Sequence, residues 1–187
     1  WVAAAEFADS AGADVINSSL GYSTFDSIQF NHTYADMDGV TTRVTQGANM
    51  AASKGILVVA SAGNEGSSAW QHIGSPADGI NVLAIGAVDP TGAYASFSSQ
   101  GPSADGRIKP DVSALATAAF TINPYTNDQF ANYNGTSFAT PLVAGLVAGF
   151  WQAHPALTAS QVISYIQGSG SIHQNPDNTL GYGIPNF

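Results

Sequence analysis

Apolar residues are concentrated in short continuous runs, and the segments between these runs carry apolar residues at helical spacing. Residues 56–60 and 82–88 contain no polar side chain, which is typical of strands covered on both faces. Residues 15–18 form a shorter run that suits a strand, and they follow an Ala-rich helical segment that ends at Gly12. Residues 41–53 place apolar side chains at helical spacing. The order so far is helix, strand, helix, strand, strand.

Two further helices are predicted towards the C-terminal end. Residues 138–152 are apolar on every side of a helix and include Gly145 and Gly149, so we expect this helix to be buried all round. A capping box formed by Thr158 and Gln161 opens a second, amphipathic helix. Residues 92–124 are rich in Gly, Pro and Ser and are predicted as turns and short extended pieces.

The alternation of helices and strands predicts an α/β fold. We expect a mainly parallel sheet with right-handed crossovers and helices on both faces, giving three layers. The 187 residues correspond to about one domain, spanning positions 1–187. Residues 21–39 are polar and aromatic without any period, and they are too long for an ordinary connection. This segment is interpreted as a functional or inserted loop.

Composition and charge exclude several classes of function. Thirteen acidic and four basic side chains give a net charge of -9, and charged residues make up 9% of the chain, against about 25% in a typical soluble domain. Without clustered Lys and Arg we expect neither nucleic acid nor a membrane surface as partner. Cysteine is absent, which excludes disulfides, thiolate metal sites and cysteine nucleophiles.

Candidate chemistry lies where strands end and where the apolar helix begins. Ligands of parallel sheets bind beyond the carboxyl ends of the strands, so residues 19–21 and 61–66 are expected to face one cleft. Ser137 precedes the apolar helix, where free N–H groups and the helix dipole favour negative charge, and Pro141 is expected to be tolerated in the first turn. Ser137 is either a nucleophile or simply an N-cap.

Several motifs, in one order over nearly the whole chain, resemble those of the subtilisin-like serine peptidases, or subtilases. Residues 135–141 (GTSFATP) match the motif around that family's nucleophile, and residues 62–66 (AGNEG) match the segment that supplies its oxyanion-hole asparagine. The remaining similar stretches are 19–21 (SLG), 97–102 (FSSQGP), 109–112 (KPDV) and 181–183 (GYG). The chain is therefore identified as a member of this family by its motifs.

The resemblance implies roles for individual residues. Ser137 would attack the scissile carbonyl, and the Asn64 side-chain amide together with the Ser137 N–H would stabilise the oxyanion. The pocket for the residue that precedes the cleaved bond would be bordered by Ser19, Leu20, Gly21, Ala62 and Gly63. Trp70 and His72 would either form more distant parts of that pocket or pack within the surface loop, and packing within the surface loop is the favoured interpretation. The substrate would be a polypeptide, and no cofactor is expected.

The resemblance also implies a location outside the cytoplasm, whether extracellular, periplasmic or at the cell surface.

Structural calcium is common in the family, but no ligands for it can be identified in these residues. Asp36 and Asp38 occur in a stretch like part of an EF-hand loop, but Tyr34 and Thr45 stand where its end ligands belong, so no metal site is predicted there.

The sequence departs from the family pattern at the catalytic base. The family's Asp and His motifs precede the nucleophile, but no histidine here is followed by Gly-Thr and no Asp lies before Ser-Gly or Thr-Gly. We therefore expect residues 1–187 to be the C-terminal part of one subtilase catalytic domain, with the N-terminal strands and the half carrying Asp and His missing. Alone, it would be inactive and would self-associate through its exposed sheet edge.

Two alternatives remain open at this point. The first is a degenerate relative that keeps the groove but has lost the chemistry, and that serves as a peptide-binding or structural module. The second is an unrelated α/β domain for a small ligand, in which Ser137 is only a helix cap. The leading interpretation is a serine endopeptidase in the full-length parent protein.

Overall fold

The computed structural model describes residues 1–126 and 128–186 and contains a parallel sheet between two layers of helices. The helices are α1 (Val2–Ser10), α2 (Arg43–Ser53), α3 (Thr136–Ala153) and α4 (Ala159–Gly168). The strands are β1 (Val15–Ser18), β2 (Leu57–Ser61), β3 (Val82–Val88), β4 (Val112–Leu115), β5 (Ala119–Ile122) and β6 (Phe130–Tyr133). Short 3-10 turns occupy Ile28–Phe30 and Tyr34–Asp36.

The four strands of the main sheet lie in the order β1-β2-β3-β4, and every neighbouring pair is parallel. Strands β5 and β6 form a separate antiparallel hairpin that leads into α3. Because parallel strands end at the same edge of a sheet, the segments that follow β1 and β2 emerge side by side. This edge carries the candidate site.

Alternation along β2 explains why the sheet is covered on both faces. Leu57 and Val59 point into a core formed with α3 and α4, whereas Val58 and Ala60 point into a second core formed with α2. All five residues of β2 are buried, as are all seven of β3. The expected three-layer α/β architecture is therefore confirmed.

A buried ion pair joins β3, β4 and α4. Lys109 and Asp111 are 2% and 5% exposed, and Lys109 Nζ lies 2.7 Å from Asp111 Oδ2. Lys109 Nζ also donates to the carbonyl of Val82, and Asp111 accepts hydrogen bonds from the Ala84 N–H and from Gln167 Nε2. Both charges are thus compensated inside the protein.

Two expectations about α3 are wrong. The helix is not buried all round, because Leu142 is 54% exposed and Gly145 and Gly149 lie on the same open side. The helix also begins at Thr136, so Pro141 lies in the second turn rather than in the first.

The predicted capping box at the start of α4 is present. In the parts of the chain that the structure describes, no helix combines the length and apolarity needed to cross a membrane.

Candidate active site

A cleft of about 240 Å³ lies where β1 and β2 end and α3 begins. It brings together six of the seven residues singled out from the sequence: Ser19, Leu20, Gly21, Gly63, Asn64 and Ser137. The seventh, Ala62, lies behind the cleft with a fully buried side chain. Its carbonyl accepts a hydrogen bond from the N–H of Gly74, a residue of the cleft wall.

The first turn of α3 presents a free N–H at Ser137. Gly135 caps the helix with φ of +150°, a conformation that favours glycine. The N–H of Thr136 donates to Asn64 Oδ1, and the N–H of Phe138 donates to the Gly135 carbonyl. Within the described residues, no acceptor lies within hydrogen-bonding distance of the Ser137 N–H. An N–H at a helix start is well suited to bind an anionic oxygen.

Ser19 and Ser137 form two reciprocal hydrogen bonds. Ser19 Oγ donates to the Ser137 carbonyl at 2.9 Å, and Ser137 Oγ donates to the Ser19 carbonyl at 3.2 Å. The Ser137 carbonyl would normally accept from the N–H four residues later, but that residue is Pro141, which has none. The Ser19 hydroxyl takes its place, and this pair joins the exit of β1 to the start of α3.

The side chain of Asn64 is held in one orientation by Thr136. Its Oδ1 accepts from the Thr136 backbone N–H at 2.9 Å and from Thr136 Oγ1 at 3.0 Å. A backbone N–H can only donate, so the atom that faces it must be the amide oxygen, and the amide Nδ2 is left for the cleft. Two N–H donors, Asn64 Nδ2 and the Ser137 N–H, are thereby placed at the start of α3 next to the Ser137 hydroxyl.

Close packing at Gly63 fixes the path of the chain into Asn64. Gly63 has φ of +114°, and a Cβ there would lie 2.7 Å from Ser99 Oγ. The Gly63 carbonyl accepts from the Ser99 N–H, and its own N–H donates to Thr136 Oγ1. A side chain at this position would be strained by the backbone conformation and would crowd the Ser99 hydroxyl.

A general base for Ser137 is not found in the described residues. Among these residues, the only hydrogen bond of Ser137 Oγ is the one it donates to the Ser19 carbonyl. His72 lies elsewhere, with its ring stacked on Tyr34 at a centroid distance of 3.9 Å. The residues present thus provide a hydroxyl and two oxyanion donors, without a general base.

Comparison with known proteins decides the family. Residues 1–183 match the model of the subtilase family, Peptidase_S8. This chain belongs to the subtilase family. It is 39% identical to subtilisin DY of Bacillus licheniformis over 162 residues, which cover 86% of this chain and 51% of that protein. Subtilisin BL of Lederbergia lenta is 32% identical over 97% of this chain and 57% of that protein. The subtilase chain therefore spans about half the length of these relatives.

Solved structures agree with the assigned fold. The self-cleaved protease domain of PatA matches with a TM-score of 0.74 and 26% identity, over 99% of this chain and 63% of that one. The prenylagaramide maturation protease PagA also matches with a TM-score of 0.74, at 24% identity over the same shares of the two chains. The second likeness shows the fold alone, because its sequence identity is low.

Several residues of this subtilase chain contribute to the cleft although the sequence did not single them out. Thr136 orients Asn64, and its position inside the GTSFATP motif was the available signal. Glu65 is the only charged side chain among the described residues that line the cleft. Trp70 also lines the cleft, so the favoured interpretation of packing within the surface loop is corrected in favour of its alternative, a more distant part of the pocket. Tyr22 also lines the cleft, and it belongs to the 21–39 segment that has no helical or strand period.

The described residues contain no group of three or more His, Cys, Asp or Glu side chains arranged to hold a metal ion.

Proposed function

We propose that this chain supplies the nucleophile, the oxyanion donors and part of the substrate groove of a serine endopeptidase. The observation that carries the proposal is the pair of N–H donors, on Asn64 and Ser137, that share one cleft with the Ser137 hydroxyl at the start of α3. The alternative that Ser137 is simply an N-cap is wrong, because Gly135 occupies that position and Ser137 lies inside the first turn. The unrelated small-ligand domain is set aside because the chain belongs to the subtilase family.

The proposed reaction is acyl transfer through Ser137. Ser137 Oγ forms a bond to the carbonyl carbon, its proton passes to a general base, and the carbonyl oxygen becomes an oxyanion held by the Ser137 N–H and Asn64 Nδ2. The C–N bond then breaks, and the departing amine takes the proton from the base. Water attacks the resulting acyl-enzyme, which releases the acid and restores the Ser137 hydroxyl.

A missing base explains why the chain alone is proposed to be inactive. The Ser137 hydroxyl donates its hydrogen bond to the Ser19 carbonyl, a group too weakly basic to remove the proton. The base and its orienting carboxylate would come from a segment outside these residues. Strand β1 lies at the edge of the sheet and α3 has an open apolar side at Leu142, so both surfaces are available to such a segment. Without that partner, the same surfaces would favour self-association.

An extended polypeptide is the proposed substrate. In the part of the chain that the structure describes, the backbone N–H and carbonyl groups of Leu20 and Gly21 have no protein partner. An edge of this kind binds a peptide by strand addition, with backbone hydrogen bonds providing affinity. Glu65 gives the cleft a negative charge, which disfavours acidic side chains near it. Because the chain belongs to the subtilase family, the parent protein is proposed to act outside the cytoplasm.

Hydrolysis of a labelled peptide by the full-length parent protein tests this proposal. We expect turnover that is abolished by Ser137→Ala and reduced by about 100- to 1,000-fold by Asn64→Asp. Ser53→Ala is the control, because Ser53 is an exposed serine on α2 whose hydroxyl bonds only within its own helix. Equal activity of wild type and Ser137→Ala would refute the proposal.

A peptide-binding module without catalysis is the second candidate, and the absence of a base near Ser137 in the described residues favours it. The same experiment separates the two functions. A full-length protein that binds peptide in the cleft but shows no turnover dependent on Ser137 would support the module and exclude the peptidase.

A further inference from the structure

A buried carboxyl holds the last residue of the 21–39 loop, which connects β1 to α2. Asp78 is fully buried, and its Oδ2 accepts a hydrogen bond from the Gly39 N–H at 2.9 Å. The Gly39 carbonyl accepts a hydrogen bond from Asn49 Nδ2 at 2.7 Å. The Arg107 guanidinium packs against Gly39 and donates to the Asp78 carbonyl at 2.7 Å. The end of the loop is therefore fixed against Asp78.

Three buried hydroxyls connect the same carboxyl to a second segment. Thr45 Oγ1 donates to Asp78 Oδ1 and lies 3.1 Å from Ser75 Oγ. Thr42 Oγ1 lies 2.6 Å from Ser75 Oγ and 2.9 Å from Thr45 Oγ1. All four side chains are at most 1% exposed. We call Thr42, Thr45, Ser75 and Asp78 the buried cluster.

The buried cluster reaches the first residues of the loop through the backbone of Ser75. The Tyr22 N–H donates to the Ser75 carbonyl at 2.9 Å, and the Ser75 N–H donates to the Tyr22 carbonyl at 3.3 Å. Tyr22 and Gly74, the neighbour of Ser75, both line the cleft. Asp78 thus holds one end of the loop directly and the other end through Ser75, beside the cleft wall.

In the part of the chain that the structure describes, no cation is bonded to the Asp78 carboxyl. The charged groups of the elements packed around it have other partners or are exposed: Asp38, Arg43, Asp105, Arg107, Lys109 and Asp111. The positive charge of Lys109 favours the ionised carboxyl from a distance. Hydrogen bonds are thus the only direct compensation for a charge on Asp78.

Both protonation states of Asp78 keep the contacts of the closed loop. The charged carboxyl accepts from Thr45 and Gly39, whereas a neutral carboxyl donates its O–H to Thr45 Oγ1 and the hydroxyls of the cluster rotate to suit. The two states differ in desolvation, because burial raises the pKa of Asp78 and the hydrogen bonds and Lys109 offset only part of the rise. Letting water reach the carboxyl relieves that cost for the charged state alone.

We propose that Asp78 is a positioning residue that acts as a proton-controlled clamp on the 21–39 loop and, through Ser75, on Tyr22 at the cleft wall. Protonated Asp78 holds the loop closed, and charged Asp78 favours local opening. This inference rests on the proposed function only where it assigns the cleft to substrate. An opened wall must be ordered again before a peptide binds, so the groove is better organised in mildly acidic solution than at neutral pH.

The direction of the effect follows from proton linkage. A carboxyl whose pKa is higher in the closed loop than in water binds protons more readily when the loop is closed. Closure is therefore most favoured below about pH 4, and it weakens as the pH rises through the raised pKa of Asp78.

Hydrogen exchange in the full-length parent protein carrying Ser137→Ala tests the clamp without any turnover. The reporters are the Phe25 and His32 amides, which donate to Asn31 Oδ1 and to the Ser23 carbonyl inside the loop. Their protection is measured relative to the unfolded protein at each pH. We expect protection to fall by at least about three-fold between about pH 4 and pH 7.

Asp78→Asn should remove this fall, because the amide donates to Thr45, accepts from Gly39 and does not ionise. Asp177→Asn is the matched control and should behave like wild type, because Asp177 is an acceptor for the N–H groups of Thr179 and Leu180 in a separate turn.

Constant protection of the loop from about pH 4 to pH 7 would overturn the inference, as would an equal fall in Asp78→Asn. An equal fall in residues 171–184 of the same protein would also overturn it, and that comparison needs no folded variant. If the clamp is observed but the full-length protein shows no Ser137-dependent hydrolysis, only the proposed function is refuted.

Discussion

Ser19 and Ser137 each donate a side-chain hydrogen bond to the backbone carbonyl of the other, at 2.9 and 3.2 Å. Ser19 follows β1, and Ser137 lies in the first turn of α3, 118 residues later. The pair exists because Pro141 has no N–H for the Ser137 carbonyl. A proline in the second turn of α3 thus connects the proposed nucleophile to the proposed substrate edge.

Ser19→Ala is expected to lower the free energy of unfolding by about 1 kcal/mol, since the Ser137 carbonyl loses its donor. In a Pro141→Ala background, the new N–H reaches that carbonyl, so Ser19→Ala should cost clearly less. Urea unfolding of the two single variants and the double variant measures this coupling. Ser53→Ala, which removes a hydroxyl bonded to the Met50 carbonyl, should show no dependence on residue 141. Equal costs in both backgrounds would exclude the proposed compensation.

Two substitutions of Asn64 should separate its structural role from its chemical role. Asn64→Asp keeps an oxygen for both Thr136 donors and loses the amide N–H group, whereas Asn64→Ala loses both functions. We expect the Ala variant to unfold more easily by about 1–3 kcal/mol, because the Thr136 donors lose their acceptor, and the Asp variant to remain close to wild type. Thermal unfolding measures this difference. Similar destabilisation in both variants would contradict the assigned orientation of the amide.

Asp78 is a fully buried carboxyl that holds the end of the loop between β1 and α2. It accepts hydrogen bonds from the Gly39 N–H and from Thr45 Oγ1. Burial raises the pKa of Asp78 above its ordinary value, and these hydrogen bonds offset only part of the rise. In the window from about pH 4 up to the raised pKa, the folded chain binds more protons than the unfolded chain, so this group's contribution to stability falls as the pH increases.

The pH dependence should therefore differ between the chain and its Asp78→Asn variant. The free energy of unfolding of wild type, relative to the variant, should be highest near pH 3 and should decrease as the pH rises above about 4. Urea unfolding at a series of pH values measures this difference, in which the titration of other carboxyls cancels. A difference that stays constant from about pH 3 to pH 7, or that grows in favour of wild type, would be inconsistent with a raised pKa.

Breaking the buried ion pair should be costly. Lys109→Met leaves the Asp111 carboxylate buried without its cation, and the expected loss is about 3–5 kcal/mol. Replacing both residues, as Lys109→Met with Asp111→Asn, should cost less than Lys109→Met alone. Lys54→Met is the matched control, because the Lys54–Asp9 pair is exposed and should contribute far less. Chemical denaturation of the four proteins tests this, and equal losses at Lys54 and Lys109 would contradict it.

The sheet was largely predictable where strands are continuous apolar runs. Residues 82–88 were predicted without error because a strand buried on both faces contains no polar residue. Strand β4 was predicted only within turns and short extended pieces, because its four residues follow Pro110 in a region rich in Gly and Ser. The open side of α3 could not be inferred either, because apolar composition does not show which face lacks a packing partner.

The cleft was predictable as a set of motifs but not as a set of contacts. Ser137 and Asn64 were singled out from the sequence, and the structure places both in one cleft. The roles of Thr136 and Ser19 depend on hydrogen bonds between segments that are 72 and 118 residues apart. No local pattern contains that information. The stacking of Tyr22 on Phe25 was missed for the same reason, because the spacing of these residues follows neither a helix nor a strand.

The central claim is that Ser137 and Asn64 act on the same carbonyl oxygen. Reaction of the full-length protein with a fluorophosphonate, followed by peptide mapping, tests it most directly. We predict a single adduct on Ser137, formed about 100-fold more slowly in Asn64→Asp. An adduct on a different serine, or one on Ser137 that forms at the same rate in both proteins, would contradict the claim.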